Sequence, residues 1–137
     1  MIFKMKNKKG VALVLAMFIL VFISMLVGAF LILLTSDLTI ANNHLGRLKA
    51  LYIAEAGVEH AISQLRTSVT WSANPYTEIF PTGSNNSYVV TRTAGSRVIT
   101  SIGNIDNKFT AQIEARISIK SSSPKNIIKI VSFKETG

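Results

Sequence analysis

Hydrophobic residues are concentrated near the start of the chain. Residues 11–34, VALVLAMFILVFISMLVGAFLILL, contain no charged residue and no proline. A helix of this length measures about 36 Å, which is enough to cross a hydrocarbon layer of about 30 Å. A soluble domain built from a chain of 137 residues could not surround such a helix on every side. The pattern therefore predicts a transmembrane helix over residues 11–34.

Residues 35–68 show a different pattern, with helical periodicity and no proline. Apolar residues recur there at steps of three and four positions, which predicts one face of an amphipathic helix. This predicted stripe consists of Leu38, Ala41, Leu45, Leu48, Tyr52, Val58, Ala61, Ile62 and Leu65. Joined to the preceding segment, it predicts a single helix of about 55 to 60 residues, far longer than an average globular helix.

Beyond residue 68 the helical repeat gives way to alternation. β-branched residues and a proline over residues 67–75, TSVTWSANP, predict the end of the helix. The clearest strand is Phe109–Lys120, where apolar and polar residues alternate over its whole length. The other predicted features are strands 87–93 and 97–103 joined by a short turn, a turn at Asp106-Asn107 and a last strand over 127–133. The chain is thus predicted to be an α+β protein, in which the long helix packs on a small antiparallel sheet over residues 69–137.

The distribution of charge predicts an orientation. The net charge is +8, and four of the 15 basic residues lie in the first ten positions, namely Lys4, Lys6, Lys8 and Lys9. Because positive charge stays on the cytoplasmic side, residues 1–10 are predicted to be cytoplasmic and the region after the span extracytoplasmic. A removable secretory signal has an apolar core of only about 7 to 15 residues before a small-x-small cleavage site. The segment is too long for such a signal, so a single-pass membrane protein is predicted.

Two short motifs flank the predicted span. The junction Lys8-Lys9-Gly10 precedes Val11-Ala12-Leu13-Val14, and Ala54-Glu55-Ala56-Gly57 follows on the amphipathic helix. With the apolar helix between them, these residues resemble type IV pilin-like proteins, specifically the PilX-like minor pilins and the K-type minor pseudopilins of type II secretion. The resemblance covers roughly residues 8–65. It implies a pilin-like fold and a leader peptide, residues 1–10, that a prepilin peptidase removes between Gly10 and Val11, after which Val11 is N-methylated.

One position departs from the major pilins of that family. They usually carry a glutamate as the fifth mature residue, which is thought to neutralise a neighbour's N-terminal ammonium, whereas this chain has Leu15. An ammonium without a partner in an apolar core would cost several kcal/mol. The resemblance therefore implies a minor subunit, whose partners are the membrane, the prepilin peptidase, other pilins or pseudopilins and the pilus assembly platform.

The expected function is structural. The resemblance implies incorporation into a type IV filament, or priming of one, for adhesion, motility, uptake or secretion, and the choice among these systems stays open. The alternative is an uncleaved, single-pass anchored binding module with an extracytoplasmic domain. The two hypotheses differ at Gly10, where only the first expects a cut.

We predict no catalytic, cofactor or metal site. The sequence has no cysteine, which excludes a thiolate nucleophile and a Cys-ligated metal, and it shows no catalytic triad or phosphate-binding loop. His44 and His60 lack the one-turn spacing typical of helical metal ligands. Glu55 and Glu59 predict a solvated face, although the resemblance implies that Glu55 contacts a basic residue of a neighbouring subunit. The candidates for that contact are Arg47, Lys49 and Arg66.

The distal region is basic. Its cationic residues are Arg92, Arg97, Arg116, Lys120, Lys125, Lys129 and Lys134. We interpret them as a charged surface that keeps an exported domain soluble. DNA binding is the less favoured alternative, because no aromatic residues are interleaved with them to stack on bases.

Overall fold

The computed structural model describes residues 8–122 and 124–136. One helix, α1, spans Lys8–Thr67 and is followed by five strands. These are β1 (Ala73–Ile79), β2 (Ser87–Arg92), β3 (Val98–Ile105), β4 (Phe109–Lys120) and β5 (Ile127–Thr136). The strands form one sheet in the order β1-β2-β3-β4-β5, and all neighbours are antiparallel. The chain is therefore an α+β protein with one long apolar N-terminal helix packed on a five-stranded meander, which confirms the predicted fold class at that level.

The chain divides into two units between Asn42 and Asn43. The described part of the first unit is helical, and almost all of its side chains are exposed. The second unit contains the rest of α1, the sheet and the hydrophobic core.

The core lies between one face of α1 and one face of the sheet. The helix contributes Ala50, Ile53, Ala54, Val58, Ala61, Ile62 and Leu65, and the larger core residues of the sheet are Tyr88, Val90, Ile99, Ile105, Ile113 and Ile117. Strand β4 alternates between buried and more exposed side chains, as its sequence predicts, because one face of the meander meets the helix and the other meets solvent.

The predicted stripe on the helix is correct in its second half and wrong in its first. Val58, Ala61, Ile62 and Leu65 are buried, whereas Leu38, Ala41, Leu45, Leu48 and Tyr52 are exposed. The residues that pack on the sheet before Val58 are instead smaller or shifted around the helix, and include Ala50, Ile53 and Ala54. Hydrophobicity alone does not distinguish a helical face that packs on the sheet from one that stays exposed.

Strand β1 was not predicted from the sequence. Its Asn74-Pro75 pair is depleted in strands, because proline cannot donate a hydrogen bond to a ladder. The structure accommodates the pair because β1 is at the edge of the sheet and its register with β2 shifts between Ala73 and Tyr76. Such a bulge at an edge is a position that tolerates proline.

Local hydrogen bonds define the other ends of the elements. Asp106 and Asn107, with φ of 51° and 54°, form the turn between β3 and β4, in agreement with the predicted turn. At the end of α1, the Asn126 side-chain amide donates to the Leu65 carbonyl at 3.1 Å, and the Asn126 backbone amide donates to the Arg66 carbonyl at 3.1 Å. A loop distant in sequence thus caps carbonyls that the helix itself leaves without partners.

Candidate functional site

The proposed processing junction lies in the first turns of α1. Gly10 and Val11 are helical and exposed, and a Cβ placed on Gly10 would meet no atom within 4 Å. The backbone at this junction is therefore sterically open, although a protease would have to unwind it first. Lys4 and Lys6 lie outside the described residues, and Lys8 and Lys9 belong to the start of the helix.

Residues 11–34 present apolar side chains in every direction around α1. Leu15 is 61% exposed, Phe18 72% and Met25 75%. The polar Ser24 hydroxyl donates to the Leu20 carbonyl at 2.8 Å, so it places no unsatisfied donor among these apolar side chains. Among the described residues, α1 is the one helix that is long and apolar enough to span a membrane.

The Ala54–Gly57 motif lies where α1 contacts strands β2 and β3 most closely. A Cβ placed on Gly57 would overlap the Ser101 Oγ and lie 3.0 Å from side-chain carbons of Tyr88 and Val90. Gly57 is buried and Ala54 is fully buried, so both residues serve the packing of the helix on the sheet. Their small size is required because a larger side chain would separate the two layers.

The opposite partner in this contact is Gly103 of β3. A Cβ there would overlap the Ala50 carbonyl oxygen and approach the Ala54 amide nitrogen at 2.6 Å, both of which are backbone atoms of α1. Glycine on the strand and alanine on the helix therefore bring the two backbones together.

Glu55 occupies a different position in the same motif. It is half-buried at the side of the packed face, whereas Glu59, one turn further on, is exposed. Within residues 8–122 and 124–136, neither carboxylate forms an ion pair. Three basic residues were predicted as partners for Glu55 of a neighbouring subunit. All three are exposed on α1, namely Arg47, Lys49 and Arg66.

A cluster that the sequence did not predict joins α1 to β1 and β2. The Glu78 Oε2 accepts a hydrogen bond from the Tyr76 hydroxyl at 3.0 Å and another from the Tyr88 hydroxyl, and it lies 3.5 Å from the His60 Nδ1. The His60 ring stacks on Tyr76 with 4.8 Å between centroids, and Trp71 lies at 6.4 Å on a tilted plane. His60 thus holds the edge strand against the helix.

Electrostatics within this cluster follow from the shared carboxylate. The hydrogen bond from Tyr88, and then the one from Tyr76, lower the pKa of Glu78 because they stabilise its charged form. Burial, followed by the bond to Glu78, raises the pKa of Tyr88 above that of a free tyrosine. Both shifts reinforce the ordinary states of the two groups at neutral pH, which are an ionised carboxylate and a protonated phenol. Among the residues that the structure describes, no group of three or more acidic, histidine or cysteine side chains could hold a metal ion.

Arg92 is an exception to the predicted basic surface. It is 1% exposed, and its Nη1 donates to the Trp71 carbonyl. Its Nε and Nη2 have no hydrogen-bond partner in the described part of the chain, and burial lowers the pKa of its guanidinium. The other cationic residues predicted for this surface are exposed, namely Arg97, Arg116, Lys120, Lys125, Lys129 and Lys134.

Comparison of the chain with protein-family models, with curated proteins and with solved structures gave no match. Its function therefore has to be inferred from the residues and contacts described above.

Proposed function

We propose that this chain is a minor type IV pilin or pseudopilin, a structural and non-enzymatic subunit that is stored in a membrane and then enters or primes a filament. The observation that carries the proposal is the contrast along α1. Residues 11–34 expose an apolar surface on all sides, whereas residues 50–65 pack on a sheet. An apolar surface of that length needs lipid or other apolar helices around it, and a membrane followed by a filament provides both.

The proposed path begins with the leader. The lysines hold residues 1–10 in the cytoplasm, the helix crosses the inner or cytoplasmic membrane once, and the sheet is extracytoplasmic. The prepilin peptidase cuts between Gly10 and Val11, and Val11 is methylated. Leu15 in place of a glutamate suits a rare position in the filament, because no carboxylate is present there to neutralise a neighbour's N-terminus.

A second exposed surface supports assembly through the outer part of α1. In the second unit, the apolar residues Leu45, Leu48 and Tyr52 are exposed and do not belong to the core, and Tyr52 is 66% exposed. Large apolar side chains that recur along one helical face are typical of helix–helix interfaces. We propose that other pilins and the assembly platform cover this face.

Glu55 provides the sharpest test of assembly. Ala54 and Gly57 are buried between helix and sheet, and Ala56 is half-buried against the core. Glu55 is therefore the motif residue whose polar group remains available to a partner. We expect Glu55→Ala to lower the amount of this chain recovered with sheared filaments or with copurified pilins, relative to the amount in the membrane. Glu59→Ala is the matched control and should leave recovery unchanged. Unchanged recovery of Glu55→Ala would refute this role.

The alternative is an anchored binding module that stays in the membrane uncut. It is favoured by the helical conformation of residues 8–10, since a protease needs an extended substrate. Cleavage, which the pilin proposal requires, would need the helix to unwind at this point. Glycine lowers the stability of a helix by about 1 kcal/mol relative to alanine, so Gly10 makes that unwinding easier. Replacing Gly10 by valine should block the cut and keep the chain in the membrane fraction, whereas Gly28→Val should not. If Gly10→Val enters filaments as well as the wild type does, the pilin proposal fails.

A further inference from the structure

A hollow opens on the sheet of the second unit, on the side away from α1. Its volume is about 420 Å³, and it is lined by Arg97, Val98, Arg116, Ile117, Ser118 and Val131. Sites for small ligands usually measure about 300–1,000 Å³. The hollow is therefore large enough for more than a single ion.

A bulge in the last strand produces the hollow. Arg116 pairs with Ser132 and Ile117 pairs with Ile130, which leaves Val131 without a partner in β4. On the other side, the Ile117 amide donates to the Arg97 carbonyl at 2.8 Å, so the backbone of Arg97 is fixed beside β4. Bulges of this kind redirect a side chain, and here Val131 joins two arginines and two other apolar residues around one opening.

The charge around the hollow is positive. Arg97 is exposed, and the Arg116 side chain is 67% exposed. The Arg116 Nε donates a hydrogen bond to the Glu114 Oε1 at 3.4 Å, and an ion pair as exposed as this one contributes little energy. Lys129 lies opposite Ser118 on the same face. An anion at this place would meet cations that have little competition within the described chain.

The apolar part of the lining restricts the class of ligand further. Val131 is 68% exposed, and Val98 pairs with Arg116 and so lies on the same face of the sheet. Covering these valines removes apolar area from water, which favours a ligand that carries an apolar group. An inorganic anion has no apolar group to cover Val98 and Val131, so it would not gain this stabilisation.

We propose that this hollow binds the C-terminal end of a peptide whose last residue is apolar. The planar guanidinium groups of Arg97 and Arg116 match the geometry of a carboxylate and can each donate two hydrogen bonds to it. The last side chain packs on Val98 and Val131. The lining residues belong to β3, β4, β5 and the turn before β3, and none belongs to α1.

The first test compares two ligands on the full chain in neutral detergent micelles. A pentapeptide of four glycines and a C-terminal leucine, labelled at its N-terminus with an uncharged fluorophore, is titrated and followed by anisotropy. We expect saturable binding of the free acid and at least about tenfold weaker binding of its C-terminal amide, the loss expected for a charge-assisted contact. Equal affinities, no binding, or displacement by an equal concentration of inorganic phosphate would each overturn the proposal.

The second test assigns the binding to these residues. Arg97→Gln and Arg116→Gln should each weaken binding of the acid about tenfold. Lys108→Gln, the same charge change at the other end of β4, should leave the affinity unchanged. Val131→Glu places a carboxylate in the hollow and should abolish binding. An unaltered affinity of Arg116→Gln, or an equal loss in Lys108→Gln, would show that the site is elsewhere.

Discussion

Gly103→Ala is the substitution that most directly probes the contact between helix and sheet. The new Cβ would overlap the Ala50 carbonyl oxygen and lie 2.6 Å from the Ala54 amide nitrogen. Both atoms belong to the backbone of α1, so no side chain can rotate away and the two layers must separate.

Two effects of opposite sign determine the size of this change. Overpacking of a core costs about 1–3 kcal/mol, and a contact with rigid backbone belongs at the upper end of that range. Replacing a glycine within a strand returns about 0.5–1 kcal/mol of backbone entropy. We therefore expect a net loss of about 2 kcal/mol in the free energy of unfolding.

The assay is urea unfolding of the full chain in detergent micelles, followed by tryptophan fluorescence. The chain has one tryptophan, Trp71, which is half-buried beside the core and reports on the second unit. A loss of about 2 kcal/mol should lower the urea midpoint by about 1 M. Gly28→Ala, where a Cβ would meet no atom within 4 Å, should leave this transition unchanged. A Gly103→Ala midpoint equal to that of the wild type would refute the close packing.

Three further predictions concern single side chains. Because Glu78 has a lowered pKa in the folded chain, its stabilising contribution is present above the pKa of a free glutamate, about 4.3, and is lost as pH falls through the folded value. Acid unfolding by circular dichroism should therefore be less steep in Glu78→Gln, and an identical acid profile would contradict this. For Arg92, replacement by methionine should leave stability in urea unchanged or raised, whereas replacement by alanine should lower it, because methionine fills the site without a buried charge whose Nε and Nη2 have no acceptor; a large loss with methionine would show that the guanidinium is stabilised by more than its bond to the Trp71 carbonyl. Asn126→Ala should cost about 1 kcal/mol through the lost contact with the end of α1, and no change in the urea midpoint would argue against that cap.

Local sequence patterns predicted the elements that have one buried face and one solvent-exposed face. Strand β4 has the predicted bounds, Phe109–Lys120, because apolar and polar residues alternate without interruption over these twelve positions. The predicted last strand ended at Phe133, but β5 continues to Thr136, since pairing with β4 supports polar residues there. Strand β1 was missed because its position at an edge, rather than its composition, permits Pro75.

Contacts between distant segments could not be predicted from local patterns. His60 and Glu78 meet because the meander brings β1 beside α1, and neither residue has a local signature of that contact. Similarly, Ala50, Ala54 and Gly57 carry the tightest packing although larger apolar residues nearby are exposed. In this contact, whether a helical residue packs on the sheet depends more on its small size than on its hydrophobicity, because the opposite backbone is close.

The central proposal, that the chain is processed as a pilin, is tested most directly by the intact mass of the protein extracted from its native membrane. We predict a species that begins at Val11 and is heavier than the unmodified mature chain by one methyl group. A species that retains Met1, or any start other than Val11, would contradict the proposal and favour the uncut anchor.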